Sequence, residues 1–168
     1  HGICGVLGKL LDVPEKYVTA VETCLGANTN VVVVEDEKCA KEAILYLKEN
    51  RLGRATFFPL SIIKPKNVMF EDLAKIKDFD GYIGTCDTLV KYDEKYRSVV
   101  LNQLGNVIVV DNIDTLNKVG KVIQYKYKIV SLDGEVSYAG GAITGGTSKS
   151  GNGVMNQKYE LEELKKQI

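Results

Sequence analysis

The chain has 168 residues, in which 22 basic and 22 acidic side chains give a formal net charge of zero. This length supports a single hydrophobic core, or two small lobes that share one. The neutral balance excludes a strong overall field that would attract nucleic acid or a membrane surface, so such a contact must come from a local patch. No apolar run approaches the roughly 18 residues of a membrane span, and no secretory signal is recognisable.

The four cysteines form no recognisable metal-binding or redox motif in the sequence. Cys4, Cys24, Cys39 and Cys86 show no C-x-x-C spacing, and His1 is the single histidine that could join them as a ligand. This usage is typical of small buried apolar residues in a cytosolic protein, with a structural zinc site as the less favoured alternative. We therefore expect a cytoplasmic protein with no metal and no cofactor.

Strand-like and helix-like segments alternate along the chain, which predicts an α/β fold. The β-branched runs Val31–Val34 and Val107–Val110 are typical of strands buried on both faces. Further strands are predicted at Ile3–Leu11, 55–59, 82–83, 127–132 and 135–138. Helices are predicted from Pro14 to Leu25, from Asp36 to before Gly53, over 89–104, and from 111 toward Gly120, with 61–80 irregular or weakly helical.

Local signals refine this pattern. Asp36 is suited to cap the second helix, whose predicted inner face is Ala40, Ala43, Ile44 and Leu47. Asp133-Gly134 predicts a two-residue hairpin turn of the primed type.

The two halves of the chain resemble each other coarsely. Leu25-Gly26 precedes the strand at Val31, and Leu104-Gly105 precedes the strand at Val107. This predicts two small mixed α/β lobes, at about 1–80 and 81–150, although no residue-level repeat is convincing.

The run Gly140-Gly141-Ala142-Ile143-Thr144-Gly145-Gly146 is the most informative stretch. Glycine there either supplies positive φ angles or lets another backbone or a ligand approach closely. Gly141 and Gly146 have the separation of a phosphate-binding loop, but Thr147-Ser148 follows where the lysine of that motif belongs. Gly2, Gly5 and Gly8 also miss the dinucleotide spacing.

The composition changes after residue 150. Residues 148–153 are linker-like, and Leu161, Leu164 and Ile168 then follow the a/d spacing of a coiled coil. An ordinary amphipathic terminal helix is the simpler interpretation. Since the chain stops without a cap, we expect it to be a fragment of a longer protein, with 151–168 forming a linker and the start of a coiled-coil arm.

These features together resemble the hinge domain of bacterial and archaeal SMC (structural maintenance of chromosomes) proteins. The resemblance begins at Gly5–Leu11 and continues through Tyr17–Glu22 and Val31–Glu37. Its most specific stretch is Gly53–Leu60, supported by Leu132-Asp133-Gly134 leading into the glycine run.

The resemblance implies a non-catalytic joint between two antiparallel coiled-coil arms, associating as a homodimer. The ATPase heads and any further chromosome-organising subunits would lie elsewhere in a nucleoid-associated protein. In the family, glycines corresponding to Gly140, Gly141, Gly145 and Gly146 lie at the contact between protomers. The alternative is that these glycines only shape an internal turn.

A local excess of positive charge suggests weak, nonspecific DNA contact. In the family, the position of Lys149 can belong to a lysine cluster that contacts DNA, but here it is a single lysine. A second set, Lys118, Lys121, Lys126 and Lys128, is interpreted first as a solvated face.

The remaining functional alternative is a small α/β enzyme or nucleotide-binding domain that uses Gly140–Gly146, but no His-based or paired-carboxylate catalytic set accompanies that loop.

Overall fold

The computed structural model describes residues 2–146 and residue 166. The predicted coiled-coil arm, the linker and Lys149 therefore lie outside the described residues, apart from residue 166. The predicted α/β class is confirmed, with one sheet of three strands and one of five. The helices are α1 (Leu7–Leu10), α2 (Val18–Leu25), α3 (Glu37–Glu49), α4 (Phe70–Ile76), α5 (Arg97–Leu104) and α6 (Ile113–Val122).

The first sheet contains β1 (Ile3–Val6), β2 (Val32–Val34) and β3 (Phe57–Pro59). β1 is antiparallel to β2, and β2 is parallel to β3. Helix α3 makes the crossover between the two parallel strands. It begins where predicted, because the Asp36 carboxylate accepts a hydrogen bond from the Cys39 backbone N–H at 2.8 Å.

The second sheet has the order β4-β5-β6-β7-β8. β5 is parallel to β6 across the helix α6, and the other neighbours are antiparallel. We refer to the two sheets with their helices as lobe I and lobe II. The strands of lobe II are β4 (Tyr82–Thr85), β5 (Val107–Val110), β6 (Lys128–Ser131), β7 (Val136–Ser137) and β8 (Ile143–Thr144).

One hydrophobic core is shared by both lobes. Val33 of β2 and Val109 of β5 both point into it, and both are fully buried. Helices α2 and α5 pack in the same layer and contribute Val21, Val100 and Leu104. The inner faces of the two sheets are therefore buried by elements of both lobes.

The lobes are related by a repeat at the level of single residues. Gly81 and Gly84 precede and enter β4 with positive φ angles, as Gly2 and Gly5 do at β1. At the centre, Asp12 and Lys91 occupy equivalent positions and exchange backbone hydrogen bonds of 2.8 Å in both directions. An approximate two-fold axis therefore passes between these two residues.

The outer faces of the two sheets differ. In lobe II, α6 buries Leu116 and Val119 against Ile108 and Val110, and α4 adds Ile76, which together make a second core cluster. In lobe I, α3 is described over its whole length and buries only Cys39. The predicted inner face of α3 is therefore only half-buried, and Ile44 is 44% exposed.

A buried polar cluster fastens α4 to lobe II. The Asp72 side chain is 1% exposed. It accepts hydrogen bonds from Tyr127 Oη at 2.7 Å and from Lys126 Nζ at 3.0 and 3.2 Å. Tyr127 Oη in turn accepts the Met69 backbone N–H at 3.0 Å. These contacts satisfy a carboxylate that would otherwise be buried at high cost.

Three predicted elements differ from the structure. The helix predicted over 89–104 begins only at Arg97, where α5 starts. The strand predicted over Ile3–Leu11 ends at Val6, and α1 takes up Leu7–Leu10. The hairpin between β6 and β7 exists, but its loop is larger than two residues, since Ser131 N–H donates to the Glu135 carbonyl and Gly134 N–H to the Ser131 carbonyl. Gly134 has φ +94° while Asp133 is not left-handed, so the turn is not of the primed type.

The polar cluster predicts an acid-sensitive contribution to stability. Hydrogen bonds from Tyr127 and then from Lys126 lower the pKa of Asp72 below its ordinary value of 3.8. A carboxyl pKa that is lowered by folding stabilises the folded state at pH values above the pKa of the unfolded chain. This stabilisation is lost as the pH falls from there through the lowered pKa of the folded state. We expect Asp72→Asn to be less stable at neutral pH and to lose stability less steeply in acid. Denaturant unfolding across pH measures both effects, with Asp78→Asn at an exposed site as control; parallel pH profiles for parent and Asp72→Asn would contradict the assignment.

Candidate protein–protein interface

The glycine run forms the turn and the last strand of lobe II. Gly140 and Gly141 have φ angles of +100° and +108° between β7 and β8. Tyr138 N–H donates to the Ala142 carbonyl at 2.8 Å, and Gly141 N–H donates to the Tyr138 carbonyl at 2.9 Å. Left-handed angles of this kind favour glycine. The turn-shaping alternative is therefore observed for these two glycines, and their place at a dimer contact stays a prediction.

The other glycine pair follows β8. A Cβ on Gly145 would lie 3.0 Å from Glu135 Cγ, so this position is tight within the chain. Gly146 has φ +113°, and a Cβ there would meet nothing within 4 Å. The lack of a side chain at Gly146 therefore permits this left-handed backbone conformation, and the space beside it could hold another chain.

Strand β8 is the edge of the five-stranded sheet. It pairs with β7 on one side, and within residues 2–146 no strand pairs with its other side. The Ile143 side chain on this edge is 47% exposed, and the nearby Tyr138 is 40% exposed. An edge strand with apolar side chains is a ready template for pairing with a second chain.

Lobe I carries an apolar groove at the place where α4 covers lobe II. The groove has a volume of about 520 Å³ between α3 and the outer face of the sheet. Ile3 and Tyr46 on its rim are 59% and 60% exposed. The sequence did not reveal this groove, because the apolar spacing of α3 suggested a fully packed face. Its lining residues are Ile3, Gly5, Val6, Val32, Cys39, Glu42, Ala43, Tyr46, Leu47, Ala55 and Phe57. We call this the lobe I groove.

The predicted DNA-binding lysines are not equivalent. Lys126 is paired with Asp72, and Lys128 Nζ donates to the Cys24 carbonyl at 3.2 Å and lies over the Tyr138 ring. Lys118 and Lys121 on α6 are exposed. The structure therefore leaves Lys118 and Lys121 as the lysines of this set that face solvent without a carboxylate partner within residues 2–146.

The geometry does not suit nucleotide binding at the glycine run. A phosphate-binding loop lies between a strand and the N-terminus of a helix, whose dipole and N–H groups receive the anion. Residues 138–142 instead connect β7 to β8, and β8 itself lies within the glycine run. The described residues also contain no cluster of three potential metal ligands, and no helix among them is long and apolar enough to cross a membrane.

Among residues 2–146, two lobes are joined through one core and leave one strand edge and one apolar groove uncovered, as in a domain that associates with a second chain. Residues 1–119 match the family described as the SMC proteins flexible hinge domain, and the chain belongs to that family. The predicted resemblance is thereby confirmed. The family is a hinge family rather than a catalytic one, which agrees with the prediction that the chain is not an enzyme.

Relatives of known sequence are much longer than this chain. It is 38% identical over 168 residues to the chromosome partition protein Smc of Bacillus subtilis, covering 99% of this chain and 14% of that protein. It is 42% identical over 149 residues to the Smc protein of Methanocaldococcus jannaschii, covering 89% of this chain and 12% of that protein. The chain thus spans about a seventh of such relatives.

Solved hinge structures agree with the fold. An asymmetric dimer of the Geobacillus stearothermophilus SMC hinge domain is 40% identical with a TM-score of 0.88, covering 99% of this chain and 66% of that one. The Pyrococcus furiosus SMC hinge domain is 35% identical with a TM-score of 0.72, covering 89% and 76% of the two chains.

The turn geometry predicts a defined cost for a side chain at Gly140. Nothing lies within 4 Å of a Cβ at this position, so Gly140→Ala meets only the strain of a left-handed φ. We expect a loss of about 1–2 kcal/mol in the free energy of unfolding. Thermal or denaturant unfolding measures it, with Ala142→Val at the neighbouring exposed position as control. A larger loss that depends on protein concentration would instead place this Cβ against a second chain.

Proposed function

We propose that this domain is the homodimerisation hinge of an SMC chromosome-organising protein, and that β8 of one protomer docks on the lobe I groove of its partner. The observation that carries the proposal is the complementarity of these two surfaces. One is a projecting strand edge with an exposed isoleucine, and the other is an apolar groove beside an incomplete sheet face. Both lie on the same chain.

A two-fold arrangement satisfies both surfaces at once. Each protomer supplies one strand edge and one groove, so two copies related by a dyad make two identical contacts. The assembly then closes as a ring in which the β8 edge of each protomer is covered by its partner. The glycine run would let the two chains approach closely at each contact.

The relatives support self-association and the presence of coiled-coil arms. The Geobacillus stearothermophilus hinge was solved as a dimer, and a Pyrococcus furiosus hinge was solved with an extended coiled coil. The a/d spacing at Leu161, Leu164 and Ile168 fits the start of such an arm. In the full-length protein, ATPase heads at the far ends of the arms, with further subunits bound there, would act on chromosomal DNA in the cytoplasm.

Charge substitutions at the two surfaces test the docking. Ile143 is exposed in the single chain, so Ile143→Lys leaves the fold intact while placing a charge in the proposed contact. Tyr46→Glu does the same at the lobe I groove. We expect each variant to be a monomer by sedimentation at concentrations where the parent is a dimer. Ile113→Lys, at a residue that is 42% exposed on α6, is the matched control and stays dimeric.

Mixing the two variants makes the test specific. A heterodimer of Ile143→Lys with Tyr46→Glu has one contact with both surfaces unchanged and a second with opposite charges facing each other. The mixture is therefore expected to regain dimer that neither variant forms alone. Persisting dimers of both single variants, or a mixture that stays monomeric, would refute docking of β8 on the lobe I groove.

We propose, second, that the hinge binds DNA weakly and without sequence preference. The supporting observation is the exposure of Lys118 and Lys121 on one helix. Lys149 is a further candidate from the family resemblance. With zero net charge, attraction beyond a Debye length of about 8–10 Å is cancelled, so few phosphates are contacted. Affinity should then fall in the nonspecific range of roughly 10⁻⁴–10⁻⁶ M.

Fluorescence anisotropy against salt tests this binding. Affinity should decrease with a log–log slope of about −0.9 per phosphate contacted. Lys118→Glu with Lys121→Glu, and separately Lys149→Glu, should weaken binding without changing the dimer. Lys126→Met is the control: because Lys126 is paired with Asp72, it should lower stability and leave DNA binding nearly unchanged. Salt-independent binding, or unchanged binding by both charge-reversed variants, would remove these lysines from consideration.

A further inference from the structure

Two consecutive residues of lobe II have a backbone conformation that usually belongs to glycine. Gln124 and Tyr125, which follow α6, both have φ angles of +56°. Left-handed angles are unfavourable for residues that carry a Cβ, and they persist only where the surrounding contacts hold them. The contacts of Tyr125 therefore indicate what this strained turn does.

Both backbone groups of Tyr125 make hydrogen bonds. The Tyr125 N–H donates to the Gly120 carbonyl at 2.9 Å, at the C-terminal end of α6. The Tyr125 carbonyl accepts the Gly140 N–H at 2.8 Å. Because Gly140 lies in the turn that leads into β8, this one residue joins the end of α6 to that turn.

The Tyr125 ring fills the space between two glycines. A Cβ on Gly120, inside α6, would lie 2.6 Å from Cε1 of the ring, so the ring packs directly against the helix backbone. A Cβ on Gly141 would lie 3.8 Å from Cγ of the same ring. The ring is thus held between α6 and the turn from β7 to β8.

The residues that follow Tyr125 are fixed to the body of lobe II. Lys126 and Tyr127 both donate hydrogen bonds to the buried Asp72 carboxylate. In contrast, β8 pairs with β7 alone among residues 2–146. The position of β8 therefore depends on its short ladder with β7 and on the contact of the preceding turn with Tyr125.

We propose that Tyr125 is a positioning residue for the β8 edge: it holds the turn before β8 against α6 and so sets where Ile143 is presented to a second chain. This inference rests on the proposed docking of β8. An edge strand that is already held in its bound position loses less conformational entropy on association. Loss of the ring contact therefore weakens the dimer even though the ring packs within its own chain.

Replacement of the ring tests the proposal. Tyr125→Gly removes the ring and keeps the backbone groups, and we expect the dissociation constant of the dimer, measured by sedimentation, to rise at least about tenfold. Tyr125→Phe keeps the ring and should match the parent. Gln124→Gly is the matched control, because it also places glycine at a left-handed position but leaves the ring intact. Equal dissociation constants for Tyr125→Gly and Gln124→Gly would overturn the proposal.

Gly120→Ala disturbs the same contact from the side of α6 and leaves Tyr125 in place. The added methyl group displaces the ring, so this variant should also form a weaker dimer. When the ring is absent, as in Tyr125→Gly, the same substitution should weaken the dimer no further. It should then raise the stability of the fold, since alanine is favoured over glycine inside a helix. Additive effects of the two substitutions on dimerisation would show that the two residues act separately, against the proposal.

A monomeric background separates this inference from the docking itself. In Ile143→Lys, loss of the Tyr125 ring should speed hydrogen exchange of the Gly140 amide. The Leu132 amide, which donates to the Val110 carbonyl in the same sheet, is the control for global opening and should not change. If Ile143→Lys stays dimeric, the docking of β8 is refuted. If it is monomeric and Gly140 exchange is unchanged without the ring, the positioning role alone is refuted.

Discussion

The shared core is the constraint on which the rest of the structure depends. Alternate valines of β2 and β5 point inward, and the helices α2 and α5 fill the layer between the sheets. Neither sheet has enough apolar cover of its own on this side, so each lobe completes the interior of the other. A domain of this size folds as one unit for that reason, even though its chain is built as two similar halves.

The outer faces, in contrast, are free to diverge. Lobe II closes its outer face with α4 and α6, and the buried Asp72 fixes α4 in place. Among residues 2–146, lobe I has only α3 there, and β1, β2 and α3 leave the lobe I groove uncovered. An asymmetry between two otherwise similar lobes gives a single chain both an open strand edge and an apolar groove among the described residues.

Much of this fold could be predicted from the sequence. The runs Val31–Val34 and Val107–Val110 and the cap at Asp36 are local signals, and local hydrogen bonds and burial decide them. The coarse repeat was visible, but the residue-level repeat was not, because the connection between α2 and β2 in lobe I is longer than that between α5 and β5 in lobe II, which shifts the spacing midway. Of the two candidate surfaces, the glycine run was located from sequence, but the lobe I groove was not. A helix with apolar spacing predicts a buried face, and only the tertiary arrangement shows that no element of the described chain covers it.

The reciprocal bridge between Asp12 and Lys91 has a consequence for how the sequence can change over time. Both hydrogen bonds use backbone atoms only, and both side chains are exposed. Nearly any residue can occupy these two positions without altering the backbone hydrogen bonds, so substitutions there leave the junction unchanged. Proline is the exception, because it has no N–H to donate. The junction between the two halves therefore depends on backbone atoms and places almost no constraint on the residue types at these positions.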